Sequence, residues 1–95
     1  QGAEDDLDSI YAYVADEASD SIALAFVGRV DAFCLSLSHA SERGQHHHKI
    51  RPGLRSVGFE RRVTIFFQVA EDHVSILRIF YAGRDWQAYL DELSG

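Results

Sequence analysis

The hydrophobic residues of this chain change period partway along it, and that change limits the possible folds more than any other feature. Leu7, Ile10, Tyr11 and Val14 stand at i, i+3, i+4 and i+7, the spacing of one face of an amphipathic helix, so a helix is expected over residues 3–16. Its acids crowd the first turns, where they complement the helix dipole. Ser19 or Asp20 then offers an N-cap. Ile22, Ala25, Phe26, Val30, Phe33, Cys34 and Leu37 repeat the helical period and predict a second helix. The short link between the two makes them an antiparallel hairpin. Ala25 and Gly28 are small and are expected where the helices approach closely.

Residues 41–53 break the pattern. They hold Gly44, Gly53, the only proline, Pro52, and the run His46-His47-His48, and read as a loop. Beyond them the period is two. A strand is expected over residues 54–59. A second covers 61–69, with Val63, Ile65, Phe67 and Val69 on one face. A third covers 74–80, so continuously apolar that it should be covered on both faces. The connections are short, so the three form an antiparallel meander. Residues 84–93 predict a short last helix, with Trp86, Tyr89, Leu90 and Leu93 able to pack back. The expected class is α+β: a helical hairpin on a small antiparallel sheet.

Ninety-five residues, 46% of them apolar, allow one domain, 1–95, with one core and a thin margin of stability. No apolar run approaches the length of a membrane span. The acidic start lacks the basic region of a signal peptide, and a cytoplasmic protein without membrane partners is expected. The one cysteine, Cys34, sits among apolar residues at helical spacing and reads as core. The net charge of −6 is unevenly spread. Residues 1–20 carry seven acids and no base, whereas residues 43–62 carry six bases against one acid, Glu60. An acidic end and a basic middle imply two faces with different partners.

Four stretches carry a family likeness. The opening Ala3-Glu4-Asp5-Asp6-Leu7-Asp8-Ser9-Ile10-Tyr11-Ala12-Tyr13-Val14 is the first. The second is Ile50-Arg51-Pro52-Gly53-Leu54-Arg55-Ser56-Val57-Gly58-Phe59. Arg62 with Ile65-Phe66-Phe67 is the third. The fourth is Val74-Ser75-Ile76-Leu77-Arg78-Ile79 followed by Gly83-Arg84-Asp85. Together, in this order and over nearly the whole chain, they resemble the ParE branch of the RelE/ParE toxin superfamily of bacterial type II toxin–antitoxin systems. Two departures stand out. The sequence opens where that family's first helix opens, so the strand that usually precedes it is expected to be absent. Tyr81 stands where the ParE pattern usually has histidine.

The resemblance implies a toxin that inhibits DNA gyrase by stabilising its cleaved DNA complex, that has no hydrolytic site of its own, and that is neutralised by a ParD-type antitoxin. It implies no cofactor and no sequence-specific nucleic-acid binding. The other branch of the superfamily, RelE, cuts mRNA on the ribosome. Such chemistry needs cations for the phosphate and an acid–base group. Here the best set is Arg62 and Arg78 as phosphate clamps with Tyr81 as acid–base group. A single lysine and an acidic balance argue against general attraction to a polyanion. The candidate target-binding residues are Arg55, Arg62, Arg84 and Trp86, types enriched at binding hot spots. Candidate antitoxin contacts are Leu7, Tyr11, Tyr13 and Phe26. Of these Tyr13 alone falls off the helix's main apolar stripe, and the others also suit the core. The three consecutive histidines are joined by no cysteine or carboxylate at ligand spacing, and neighbouring loop residues rarely point the same way, so no metal site is expected.

Overall fold

The structure, a computed structural model, describes residues 2–39, 42–83 and 86–95. Its elements run α1 (Gly2–Glu17), α2 (Asp20–Ser36), β1 (Gln45–His46), β2 (Leu54–Phe59), β3 (Val63–Val69), β4 (Val74–Tyr81) and α3 (Trp86–Ser94). Ser19 caps α2: its backbone is extended and its hydroxyl accepts from the Ile22 N–H at 3.1 Å. That side chain satisfies a donor the helix itself leaves unpaired.

The strands form one antiparallel sheet in the order β1-β2-β3-β4. The helical hairpin covers one face. Ile10 and Val14 of α1 and Ala23, Phe26 and Val30 of α2 pack with Val63, Ile65, Phe67 and Ile79 of the sheet. α3 covers the other face, where Leu90 joins Leu54, Phe66 and Phe80, flanked by Trp86, Tyr89 and Leu93. β3 lies under both layers, so Phe66 and Phe67, adjacent in sequence, point to opposite faces and are both fully buried. β4 is likewise covered on both sides but stands at the sheet's edge, and most of its residues are half-buried.

Three expectations are corrected. The sheet has a fourth strand, β1, inside the segment read as a loop. Its two residues are exposed, so no apolar alternation marks it; it is held by backbone pairing of Gln45 with Ser56 and His46 with Arg55. Gly44 leads into it with φ 80°, and a Cβ there would collide with the Ser56 carbonyl oxygen, so only glycine lets the strands meet. Second, Ala25 and Gly28 face solvent; the small residue enclosed by the core is Ala23. Third, the second strand begins at Val63 rather than at 61, because Glu60 and Arg61 form the turn.

That turn is strained. Glu60 and Arg61 both have left-handed φ, 53° and 57°, a conformation that suits the β2–β3 hairpin but disfavours side chains. The Arg29 guanidinium clamps Glu60 with two bonds of 2.7 and 3.0 Å and holds its carboxyl below the usual carboxylate range. Arg61 is exposed. Replacing Arg61 with glycine is expected to raise stability by up to about 1 kcal/mol, read as an increase in the midpoint of thermal unfolding.

A register shift in the β3–β4 ladder places the chemistry at the edge. Phe66 pairs with Arg78 but Phe67 with Ile76, leaving Leu77 as a bulge. The extra residue reverses the alternation. Ile79 and Tyr81 thereby join Val74 and Ile76 on the hairpin face, while Arg78 and Phe80 turn toward α3.

Candidate functional site

Two surfaces gather the functional candidates. The first is a groove of about 200 Å³ between α1 and the free edge of β4, lined by Asp6, Ser9, Ile10, Tyr13, Arg78 and Tyr81 among others. Asp6 closes one end. Its carboxylate accepts from Arg78 Nε at 2.7 Å and from Arg78 Nη2 at 3.0 Å. It also takes the Ile79 backbone N–H at 2.8 Å, so one carboxylate neutralises a cation and caps an edge-strand donor. The Asp6 hydrogen bond raises the Arg78 pKa, outweighing burial, which acts the other way. The guanidinium also lies over the Phe80 and Tyr89 rings, at 4.8 and 5.6 Å. At the other end Tyr13, 43% exposed, leans on Tyr81 with ring centroids 5.3 Å apart.

The second surface is the tip of the β2–β3 hairpin. Arg29 and Arg62 stack on the Phe26 ring, at 5.5 and 5.6 Å, and Tyr81 meets the same ring edge-on at 6.1 Å. The backbone supports this cluster: Val63 pairs with Tyr81, and Ala82 donates to the Arg62 carbonyl.

Of the nuclease set, Tyr81 bridges the two surfaces, lining the groove with Arg78 and meeting Phe26 with Arg62, while the two arginines are held by different partners. Arg62 and Tyr81 share Phe26 on the hairpin side. Arg78 is on the α3 side, held by Asp6. Of the candidate target contacts, Arg62 is exposed. Arg55 is half-buried, with its guanidinium donating to the Glu42 and Arg43 carbonyls at 3.0 and 3.3 Å. Trp86 packs toward Phe66, and Arg84 lies outside the described residues. Of the candidate antitoxin contacts, Phe26 is 1% exposed and offers no surface to a partner. Leu7 and Tyr11 are half-buried against the core. Tyr13 is the one that is open. Ile22, on the stripe expected to face the core, is exposed on α2 beside Leu24 and Leu35, and those two were not singled out from the sequence. Nor was Asp6, one acid among several in the opening turns; only its partner 72 residues away distinguishes it.

Cys34 is enclosed enough that burial pushes its thiol up to about 11. At pH 8 roughly one molecule in a thousand then carries the reactive thiolate. Ellman's reagent is expected to react about a hundredfold faster with the urea-unfolded chain than with the folded one, and comparable rates would contradict this placement. Among the described residues no helix is long and apolar enough to cross a membrane. No group of three or more histidine, cysteine, aspartate or glutamate side chains could hold a metal ion there.

This hairpin-on-sheet architecture with a C-terminal helix defines an α+β protein of the kind the motifs imply. A family model described as the ParE toxin of the type II toxin–antitoxin system parDE matches residues 1–86. Among solved structures, the chromosomal ParDE toxin–antitoxin system from P. aeruginosa superimposes with a TM-score of 0.72 at 27% identity, covering 85% of this chain and 88% of that one. No curated protein sequence matches significantly. The chain belongs to the ParE toxin family of type II toxin–antitoxin systems.

Proposed function

We propose that this toxin arrests growth by poisoning DNA gyrase through protein contacts, without catalysis of its own, and that a ParD-type antitoxin neutralises it. Membership of the ParE family carries the reading. The site geometry supports it. A phosphate-cleaving centre needs its cations free to meet the phosphate, whereas Arg78 is already engaged by Asp6 at the β4 edge and Arg62 rests on the Phe26 ring. Arg62, exposed on the hairpin tip and resting on a buried ring, is the best-placed target contact. The groove beside Tyr13 and the apolar side chains on α2 are the surfaces left for the antitoxin, whose amphipathic segment would order as it docks.

The two surfaces meet at Tyr81, but Arg62 and Tyr13 belong to different ones, so their substitutions should separate. Arg62→Ala is expected to relieve growth arrest on induction while leaving the antitoxin complex intact. Tyr13→Ala is expected to weaken the complex, by about tenfold or more in titration, while leaving toxicity in place. If both variants lost both properties while keeping a native circular-dichroism spectrum, the assignment of two surfaces would be wrong.

A further inference from the structure

The outer hairpin carries the run of three histidines, and the structure gives its members different tasks. Strand pairing of His46 with Arg55 extends the backbone there. His47 turns toward the sheet. Its Nε2 lies 2.8 Å from the Ser56 hydroxyl, its ring is 5.9 Å from Phe66, and its backbone N–H donates to the Leu54 carbonyl at 2.8 Å. His46 and His48 are exposed and lie side by side, ring centroids 4.5 Å apart and planes tilted by 34°. Their Nδ1 atoms approach to 2.7 Å. At that distance one Nδ1 donates its proton and the other must present a lone pair. A cleft of about 250 Å³ opens beside them, lined by His46, His47, His48, Lys49 and Ile50. Neighbouring histidines do diverge, as expected of consecutive residues, and it is this divergence that brings the first and third together.

We infer that His46 and His48 form a two-imidazole chelate for a divalent transition-metal ion, copper(II) before nickel(II). With metal–nitrogen bonds of roughly 2.0–2.1 Å, nitrogens as close as these subtend about 80° at the metal. That is near the right angle of adjacent positions in a square or octahedral site. A tetrahedral angle would need the nitrogens to stand roughly 3.3 Å apart. Two imidazoles suit a tetragonal ion with water in its other positions, and the order of affinities among first-row ions puts copper(II) ahead of nickel(II) and zinc. No third protein ligand is at hand among the described residues, so water fills the remaining positions. The ring that donates in the free protein carries its proton on Nε2 once the ion binds, so both Nδ1 lone pairs face the metal, which ties β1 to the turn that follows it. His47, anchored to Ser56, supports the pair without joining it.

The test is a calorimetric titration of copper(II) chloride into the full chain, purified without a polyhistidine tag, with the copper(II) resonance spectrum recorded at saturation. One equivalent is expected to bind, with nitrogen couplings in the spectrum and a raised unfolding midpoint. His46→Ala and His48→Ala should each weaken binding by roughly tenfold or more. His73→Ala should not, although His73 sits 2.7 Å from the Asp72 carboxylate. Zinc should bind more weakly than copper. Both test residues are exposed, so unchanged circular dichroism will show that each variant folds. Binding that survives at either variant, or that spreads over several weak equivalents, would mean scattered surface histidines and overturn the chelate.

Discussion

Replacing Phe66 with alanine is expected to cost about 3–5 kcal/mol, the range for deleting a buried phenylalanine. Phe66 is fully buried at the centre of the α3-side core. Its ring meets Phe80, Trp86 and Tyr89 at centroid distances of 5.8, 6.4 and 5.3 Å. Trp86 and Tyr89 belong to α3, so the cavity cannot close without moving that helix. A domain this size has roughly 5–10 kcal/mol in all, so the variant should sit near the edge of folding. Trp86 is the only tryptophan and reports directly: its emission should shift to the red as α3 loosens. Denaturant unfolding gives the energy. A loss below about 1.5 kcal/mol with an unchanged tryptophan spectrum would mean that α3 does not rest on this ring.

Asp6→Ala is expected to cost about 2–3 kcal/mol, because three donors lose one acceptor. The Asp6 side chain is only 14% exposed, but that of Arg78 is 37% exposed, so water recovers part of the loss and the figure stays below that of a fully buried pair. Asp6→Asn keeps an acceptor for the Ile79 N–H and should lose about 1 kcal/mol less. A double-mutant cycle with Arg78→Ala isolates the pair, and a coupling of about 1 kcal/mol or more is expected. Additive losses would show that the two side chains act independently. Since Asp6 also closes the groove beside Tyr13, the variant should loosen α1 from β4 where the antitoxin is proposed to dock.

Much of the fold is legible in the residues because burial enforces period. Leu7, Ile10, Tyr11 and Val14 mark α1, and Val63, Ile65, Phe67 and Val69 mark one face of β3. What is not legible has no periodic signature. β1 is two exposed residues held by backbone bonds, and Gly44 alone hints at the close approach. The bulge at Leu77 hides inside a continuous apolar run, yet it decides which face receives Arg78. The site follows the same division. Residue type points to Arg62 and Tyr13, but the separation of Arg62 from Arg78 depends on that bulge and on a carboxylate at the other end of the chain. Phe26 shows the converse limit: an aromatic on a helix's apolar stripe suits the core and can still be offered as a contact, and packing under Arg29, Arg62 and Tyr81 makes it core.

The most direct test of the central claim is to add the purified toxin, freed of antitoxin, to DNA gyrase with plasmid and ATP. The readout is linear DNA covalently linked to the enzyme. Dose-dependent cleavage complexes are expected, failing to accumulate when the toxin is premixed with its antitoxin and diminishing with Arg62→Ala. Gyrase unaffected at toxin levels that still stop growth in cells, with ribosome-bound mRNA cut instead, would contradict the claim.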